Sequence, residues 1–505
     1  MNDLRRWPGI VLAAGVAGGI IASMTLATAV GAVAAVALAV AVFLRRRLPA
    51  ILCAGILAGL FTGWMQQPAT LTESGIPAEG RFTATVERAS AGSYQQRVIA
   101  TVDAPRPFRA ELRTTACDYT LLPGERITFH AHFEPVTAAD DLFGGGIDAY
   151  AMYLLSERIA ATAHMDALRS TGLENGLIHK SGRMGRRLAD DIYNVGFRPA
   201  TAALLCGAFF GGDYAEPATK AAFRSAGLAH LLCISGFHVA LLVSALGLLL
   251  YPLRAGRRLN YLRLALIIAA VWAYAFIAGL QPSAVRAATM LTVMTAALVG
   301  DRSHSTPNVF GLTLAFVLII SPYWLFSIGF QLSAAAVAGL MCFFGKLNPF
   351  SPRRHVLYNI GGLCVAPLAA TLGVFPLLLL YFHSVPLAGF IGGIAGAVIF
   401  PVFMAMGATT SLLSVVGAAP QVFVHATDAV AGATESMCRA LGALPWNQSA
   451  TLYPSAATAF FTLVAVALLG VVIHRKTLRW RLIAASAAIL AAITALSFAY
   501  IPENM

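Results

Sequence analysis

Long apolar runs, broken by short arginine-rich loops, occupy most of this 505-residue chain. A membrane-spanning helix needs about 20 apolar residues. The run from Ile10 to Leu44 is nearly twice that, which predicts two short spans with a turn near Thr25 to Thr28; a third span covers Leu48 to about Met65. Further on, the pattern predicts spans near 229–252, 260–280, 283–300, 306–321, 323–344 and 356–381, a pair within 386–418, and two more near 454–473 and 480–500.

Between Gln66 and Ser170 the period shortens to two. Phe82, Ala84 and Val86 share one strand face, as do Val98, Ala100 and Val102, then Phe108, Ala110 and Leu112, then Ile127, Phe129, Ala131 and Phe133. Short alternating strands separated by turn residues predict a small closed barrel of the OB type. A polar stretch follows, in which Lys180, Arg183, Arg186 and Arg187 accompany Ile178, Met184, Leu188 and Ile192. That pattern suits a helix lying in the membrane interface. Pro199 to Gly212 is apolar but too short to span, and Ala221 to Ala229 is a second short amphipathic piece. The expected organisation is therefore 1–65 membrane helices, 66–170 barrel, 171–228 interfacial helices and 229–500 a polytopic domain.

Composition supports the membrane reading. Charged residues make up 11% of the chain and hydrophobic ones 58%, with a mean hydropathy of +0.73, whereas soluble domains carry roughly 25% charged residues. The fold class is thus a polytopic α-helical membrane protein with an inserted small extracytoplasmic β-barrel. Net charge is +12. In a membrane protein such an excess belongs to cytoplasmic loops. Arg5, Arg6 and Arg45 to Arg47 fall on one side of the expected spans, as do Arg254, Arg257, Arg258, Arg263, Arg302, Lys346, Arg353, Arg354, Arg475, Lys476, Arg479 and Arg481. This count places the N-terminus in the cytoplasm and both the barrel and the C-terminus outside. The seven cysteines form no CxxC pair, and Cys117 alone lies in the barrel. Neither a cysteine metal site nor a disulfide within the barrel is expected.

The polar residues inside the apolar segments are the candidates for chemistry. His230, Ser235 and His238 fall on one face if residues 229–252 form a single helix at about 100° per residue. Gln281, Ser283 and Arg286 open the next outward end, and Gln331 lies one turn beyond Ser327. Ionisable groups at such depth face a bundle interior or water, so structural hydrogen bonding and a wet path are both open readings. His425, Asp428, Glu435 and Arg439 share a helical face that suits either an interfacial helix or a buried polar seam. His130, His132 and Glu134 alternate on one strand, and solvated residues outside a barrel are their ordinary explanation. No metal site is expected, and no cofactor.

Three stretches carry a resemblance: Phe223-Arg224-Ser225-Ala226-Gly227-Leu228-Ala229-His230-Leu231-Leu232-Cys233-Ile234-Ser235-Gly236-Phe237-His238, Gln281-Pro282-Ser283-Ala284-Val285-Arg286 with Met290, and Gly329-Phe330-Gln331-Leu332-Ser333-Ala334. The chain resembles the ComEC family of competence proteins, inner-membrane channels for single-stranded DNA in natural transformation. Gly144-Gly145-Gly146-Ile147-Asp148-Ala149-Tyr150 looks like the family's segment closing its extracytoplasmic domain. The resemblance implies a DNA path lined by His230, Ser235, His238, Gln281, Ser283, Arg286 and Gln331. It implies single-stranded DNA as substrate, the lipid bilayer as surroundings, a DNA receptor and a translocation ATPase as separate proteins, and leaves oligomerisation open. Departures are present. Phe143-Gly144 stands where the family has Asn-Pro, Phe390 to Ala397 lacks the family's asparagine, and the HxHxDH signature of the family's metallo-β-lactamase-like domain is missing, with Ile501 to Met505 alone following the last expected span.

The expected chain is therefore a channel and not an enzyme. No GxxxxGK[ST] loop occurs, so the work must come from outside the chain. Two alternatives stay open: an intramembrane serine hydrolase with Ser235 as nucleophile and His238 as base, and a transporter of another anion such as a lipid or polysaccharide. The barrel region holds nine Arg and no Lys against thirteen Asp or Glu, a net of −4. Because phosphate neutralisation dominates nucleic-acid affinity, residues 66–170 alone should bind single-stranded DNA weakly, and the Lys180 to Arg187 segment should contribute more. Submicromolar binding of a labelled oligonucleotide by the isolated barrel at physiological salt would contradict this.

Overall fold

A computed structural model describes residues 8–25, 34, 37, 47–67, 73, 75–91, 95–115, 120–136, 149–211, 214–232, 234, 236–299, 305–350, 355–382, 388–415, 417, 420–444 and 447. The chain divides into two compact units. One holds residues 1–144, 150–188 and 235–327; the other holds 145–149, 189–234 and 328–505. Expected spans near 454–473 and 480–500, the second half of the first hairpin and the Gly144 to Asp148 motif lie outside the described residues.

In the first unit, helices α1 (Pro8–Thr25) and α2 (Arg47–Met65) pack through glycines. A Cβ on Gly55 would stand 2.8 Å from the Leu12 carbonyl oxygen, and Cβ atoms on Gly19 and Gly59 would collide with the Ile56 and Val16 carbonyls. Small residues let two apolar helices approach closely where lipid gives no hydrophobic drive between them. Five helices among the described residues are long and apolar enough to cross a membrane: Leu48–Met65, Arg257–Ile277, Ile328–Leu347, Val356–Phe382 and Gly389–Val415. The protein is a multi-pass membrane protein.

The barrel has five strands in the closed order β1-β2-β3-β5-β4: β1 (Glu79–Ala91), β2 (Gln96–Val102), β3 (Phe108–Thr114), β4 (Glu125–Pro135) and β5 (Ile159–Leu173). All four expected strand faces point inward, where Phe82, Phe108, Phe129 and Phe133 meet in tilted and edge-on pairs with centroids 4.8–6.5 Å apart. The fifth strand, Ile159–Leu173, escaped the alternation test. Its inward positions are Ala161, Ala163 and Met165, and alanine carries little strand preference. Only pairing antiparallel to β4 and parallel to β3 makes it a strand.

Helix α3 (Ala149–Ser156) joins β4 to β5, and its Tyr150 and Tyr153, with Glu157 just after it, enter a charge network. Glu111, whose side chain is 0% exposed, meets Arg97 at 2.5 Å and Arg113 at 3.0 Å, and accepts a 3.0 Å bond from the Tyr150 hydroxyl. Arg97 lies 4.5 Å above the Tyr153 ring, while Arg109 bridges Glu87 at 2.6 Å and Glu157 at 3.4 Å. Burial, above all, pushes the Tyr153 hydroxyl up to about 12. Five of the barrel's arginines, counting Arg88 on Glu157 and Arg126 on Asp103, are thus engaged by its own acids.

Helix α4 (Leu177–Tyr193) follows, with Ser181, Ala189 and Ile192 buried and Leu177, Ile178 and Met184 exposed. It lies against the end of α8 (Arg257–Ile277), where Ser181 donates to the Phe276 carbonyl. The second unit begins with α5 (Pro199–Phe210), buried from Thr201 to Ala208, and α6 (Pro217–Ser225). Two sequence expectations change here. The span expected at 229–252 is a 3₁₀ turn at Ala229–Leu232 followed by a separate helix, α7 (Gly236–Leu249), and the pair expected within 386–418 is one helix, Gly389–Val415, with Pro401 inside it. Apolar runs carry no signal that distinguishes one tolerated internal proline from a turn. A single crossing there removes the parity argument that set the C-terminus outside.

Glu87 should make the barrel acid-sensitive. Burial alone would raise its pKa, but the charge and hydrogen bonds of Arg109, with the Thr101 hydroxyl, outweigh burial and hold the carboxyl below its ordinary value of 4.5. A depressed folded value contributes stability above the unfolded value and loses it as pH falls through the folded one. Amide exchange in β1 and β2, corrected for intrinsic rates, should therefore accelerate as the pH falls below 4.5. Glu87→Gln should flatten that acceleration, and an unchanged profile would remove Glu87 from the account.

Candidate functional site

The first motif begins where α6 ends. The Leu228 amide donates to the Phe223 carbonyl at 2.7 Å and the Gly227 amide to Arg224 at 3.0 Å, with Gly227 at φ +72°. This pair of bonds is a Schellman ending, which requires a left-handed residue at the turn. Phe223 and Leu228 flank it, both fully buried. The chain then makes the 3₁₀ turn that carries His230, an exposed residue, while Leu231 and Leu232 are buried.

Helix α13 (Gly389–Val415) receives this turn on a glycine face. A Cβ on Gly389 would lie 3.3 Å from the Gly227 Cα, one on Gly392 3.0 Å from the Ala226 oxygen, and one on Gly396 3.2 Å from a Leu231 methyl. The small residues of this stretch thus have a steric role. A side-chain amide reaches the same turn from Asn447, which is buried. Its Nδ2 donates to the Ser225 carbonyl at 2.7 Å, and its Oδ1 accepts from the Ala388 amide at 2.9 Å. Sequence reasoning missed Asn447, because a lone asparagine far along the chain has no periodic signal. The spacing of Gly389, Gly392 and Gly396, on one helical face, was legible.

Gln331, on α11 (Ile328–Gly339), is half-buried and accepts a 2.5 Å bond from the Tyr381 hydroxyl of α12 (His355–Phe382). Asp428, on α14 (Gln421–Gly442), is buried among Val424, Thr427, Ala431 and Thr434. Its carboxylate accepts from the Arg198 amide at 3.1 Å, at the amino end of α5, and Arg198 also donates to the Asp428 carbonyl oxygen. A carboxylate at that end complements the helix dipole. His425 and Arg439 are exposed on the same helix, and Glu435 lies 3.7 Å from Arg439.

The remaining candidates belong to the first unit. His238 is 3% exposed near the start of α7, and Arg286 is 3% exposed on α9 (Pro282–Val299), which α10 (Thr306–Ile320) follows in the chain. α7, α8 and α9 pack around Val239, Val271 and Ala288, and Trp272 of α8 donates to the Thr292 hydroxyl of α9 at 3.1 Å. The turn from α8 to α9 has a second Schellman pattern, Leu280 to Ala275 at 2.8 Å and Gly279 to Phe276 at 3.0 Å. Gly279 takes φ +78° and Leu280 φ +52°. The turn leaves Gln281 and Ser283 half-buried at the start of α9, whose first residue is Pro282.

His238 and Arg286 are therefore on packed neighbouring helices, whereas His230 and Gln331 belong to the other unit. Ser235 lies outside the described residues. The single-helix geometry that relates His230 to His238 at 100° per residue does not hold, because the helix starts only at Gly236. Leu228 and His230 precede it in a tight turn.

Residues 210–476, more than half of the chain, match the family model described as Competence protein. The chain belongs to the competence protein family. It is 34% identical over 172 residues to ComE operon protein 3 of Bacillus subtilis (strain 168), which covers 34% of this chain and 21% of that one. The uncharacterized protein YcaI of Escherichia coli (strain K12) is 32% identical over 184 residues, 35% of this chain and 24% of its own. Recombination protein 2 of Haemophilus influenzae (strain ATCC 51907 / DSM 11121 / KW20 / Rd) is 26% identical over 215 residues, 39% of this chain and 26% of its own. The chain thus matches about a quarter of each relative's length. No solved structure matches.

Within this competence fold, Asn447 should hold the first motif in place. Asn447→Ala leaves the buried Ala388 amide unsatisfied, at about 1–3 kcal/mol, and takes the side-chain donor from the part-buried Ser225 carbonyl. In a cysteine-free background, a cysteine at Leu228 should react with a maleimide faster when Asn447 is alanine than when it is native. Equal rates would show that the glycine face alone fixes the turn.

Proposed function

We propose that this competence protein conducts single-stranded DNA across the cytoplasmic membrane during natural transformation, and that it catalyses no reaction itself. The observation that carries the reading is Arg286: a guanidinium 3% exposed on an apolar helix, packed beside the helix of His238. Ionisable groups at such depth face a bundle interior or water, and a guanidinium is a donor that a passing phosphate can meet. Gln281 and Ser283 of the same unit, with Ser235 from the first motif, are the further candidates for the path.

The strand order β1-β2-β3-β5-β4 is read as OB-like, and the barrel as extracytoplasmic, with the N-terminus in the cytoplasm. A receptor for DNA and an ATPase that drives translocation are proposed as separate proteins, and the channel as open to oligomerisation. Serine hydrolysis and transport of another anion are the readings that the same test must exclude.

A channel needs room and a wet surface, whereas a hydrolase needs the Ser235 hydroxyl itself. In a transformable host, Ser235→Leu and Arg286→Ala should block uptake of labelled DNA in protein that still reaches the membrane, while Ser235→Ala retains a measurable fraction. Complete loss in Ser235→Ala, with labelling of native Ser235 by a fluorophosphonate, would establish covalent chemistry instead. Normal uptake in all three variants would remove these residues from the path.

A further inference from the structure

The outer surface of the barrel holds a cluster that the proposed channel does not use. Along β4, inward Ile127, Phe129, Ala131 and Phe133 alternate with outward His130, His132 and Glu134. The register sets His132 directly opposite His164 of β5 on one side and Glu79 of β1 on the other, while His130 faces Asp166 and Arg81. Three imidazoles therefore occupy adjoining positions on one exposed face, two on a single strand at i and i+2 and the third on its antiparallel neighbour. Glu134, which shares the strand face, pairs with Thr162 instead.

Directly opposed strand residues place their Cβ atoms about 4.5–5.5 Å apart, within the span that two imidazoles close on one cation at about 2.0–2.1 Å each. The Glu79 carboxylate lies 3.7 Å from His132 Nδ1. That leaves Nε2 for a ligand, with the other nitrogen oriented by an acid, as in metal-bound histidines. Asp166, 4.0 Å from His164 Nε2, adds a second carboxylate.

A backbone irregularity coincides with the cluster. Thr128 pairs with Arg169 but His130 with Asp166, so β5 carries one extra residue there, and Ala167 takes φ +50°. A bulge re-aims the side chains beside it, and a left-handed alanine costs free energy that surrounding structure must offset. As placed, the donor atoms of the described residues form no three-ligand group. The side chains of His132, Glu79 and His164 are 62%, 66% and 50% exposed, so rotation about their side-chain bonds meets only solvent on one side.

We propose that His130, His132 and His164 bind a late first-row divalent cation, of the zinc, nickel or copper kind that imidazole favours, with Glu79 orienting His132. Arg81 on the same face limits the affinity. The proposal is independent of the channel reading.

Untagged full-length protein in detergent, titrated with zinc alone by calorimetry, should bind one cation per chain. His132→Ala and His164→Ala should each weaken binding by at least about tenfold. His425→Ala, on α14, should leave it unchanged. Zinc should raise the melting temperature of the native protein but not of His132→Gln, which keeps a polar side chain if alanine disturbs the strand. Absence of zinc binding by the native protein, or equal binding by the His130→Ala/His132→Ala/His164→Ala variant, would overturn the proposal.

Discussion

A backbone that leaves the helix among apolar side chains must bond its freed N–H and C=O groups internally, since no lipid atom will accept or donate. That constraint governs both places where this chain concentrates its polar motif residues. Where α6 ends, the Schellman bonds of Gly227 and Leu228 and the side-chain amide of Asn447 satisfy the backbone. Where α8 turns into α9, Gly279 and Leu280 repeat the pattern, and Pro282 starts the next helix without an amide to satisfy. The motifs owe their shape to these endings as much as to their own side chains.

Close approach of backbones is the second requirement, and glycine meets it. In the first unit Gly15, Gly19, Gly55 and Gly59 bring α1 and α2 together; in the second, Cβ atoms on Gly339 and Gly373 would collide with the Ala369 and Ala335 carbonyls of the facing helices. The Gly389, Gly392 and Gly396 face does the same for the 3₁₀ turn. Packing of this kind gains dispersion energy without a hydrophobic drive, so a single added side chain separates surfaces rather than filling a hole.

Charge is handled differently in the two environments. The barrel spends its arginines on its own carboxylates and tyrosines, around a fully buried Glu111. Removing one member of such a buried set leaves an uncompensated charge, which makes the network a condition of the barrel's outer packing rather than a surface for anions. Among the apolar helices Arg286 is held in a low-polarity setting, where any electrostatic interaction it makes is strengthened.

Periodicity in the sequence determined the class of the protein, the existence of the barrel and four of its strands, because burial of one strand face writes a period of two and lipid writes runs of about 20 apolar residues. The motif stretches also located His238 and Arg286. Tertiary structure alone decided the rest. The alanine-lined β5 becomes a strand by pairing on both edges, the turn at Ala229–Leu232 separates His230 from the helix of His238, and Gly389–Val415 runs through Pro401 as one helix. Asn447, Asp428 and the facing of His132 to His164 depend on partners 222, 230 and 32 positions away. Local pattern reports which side of an element is buried, but not which distant atoms complete a hydrogen bond or share a surface.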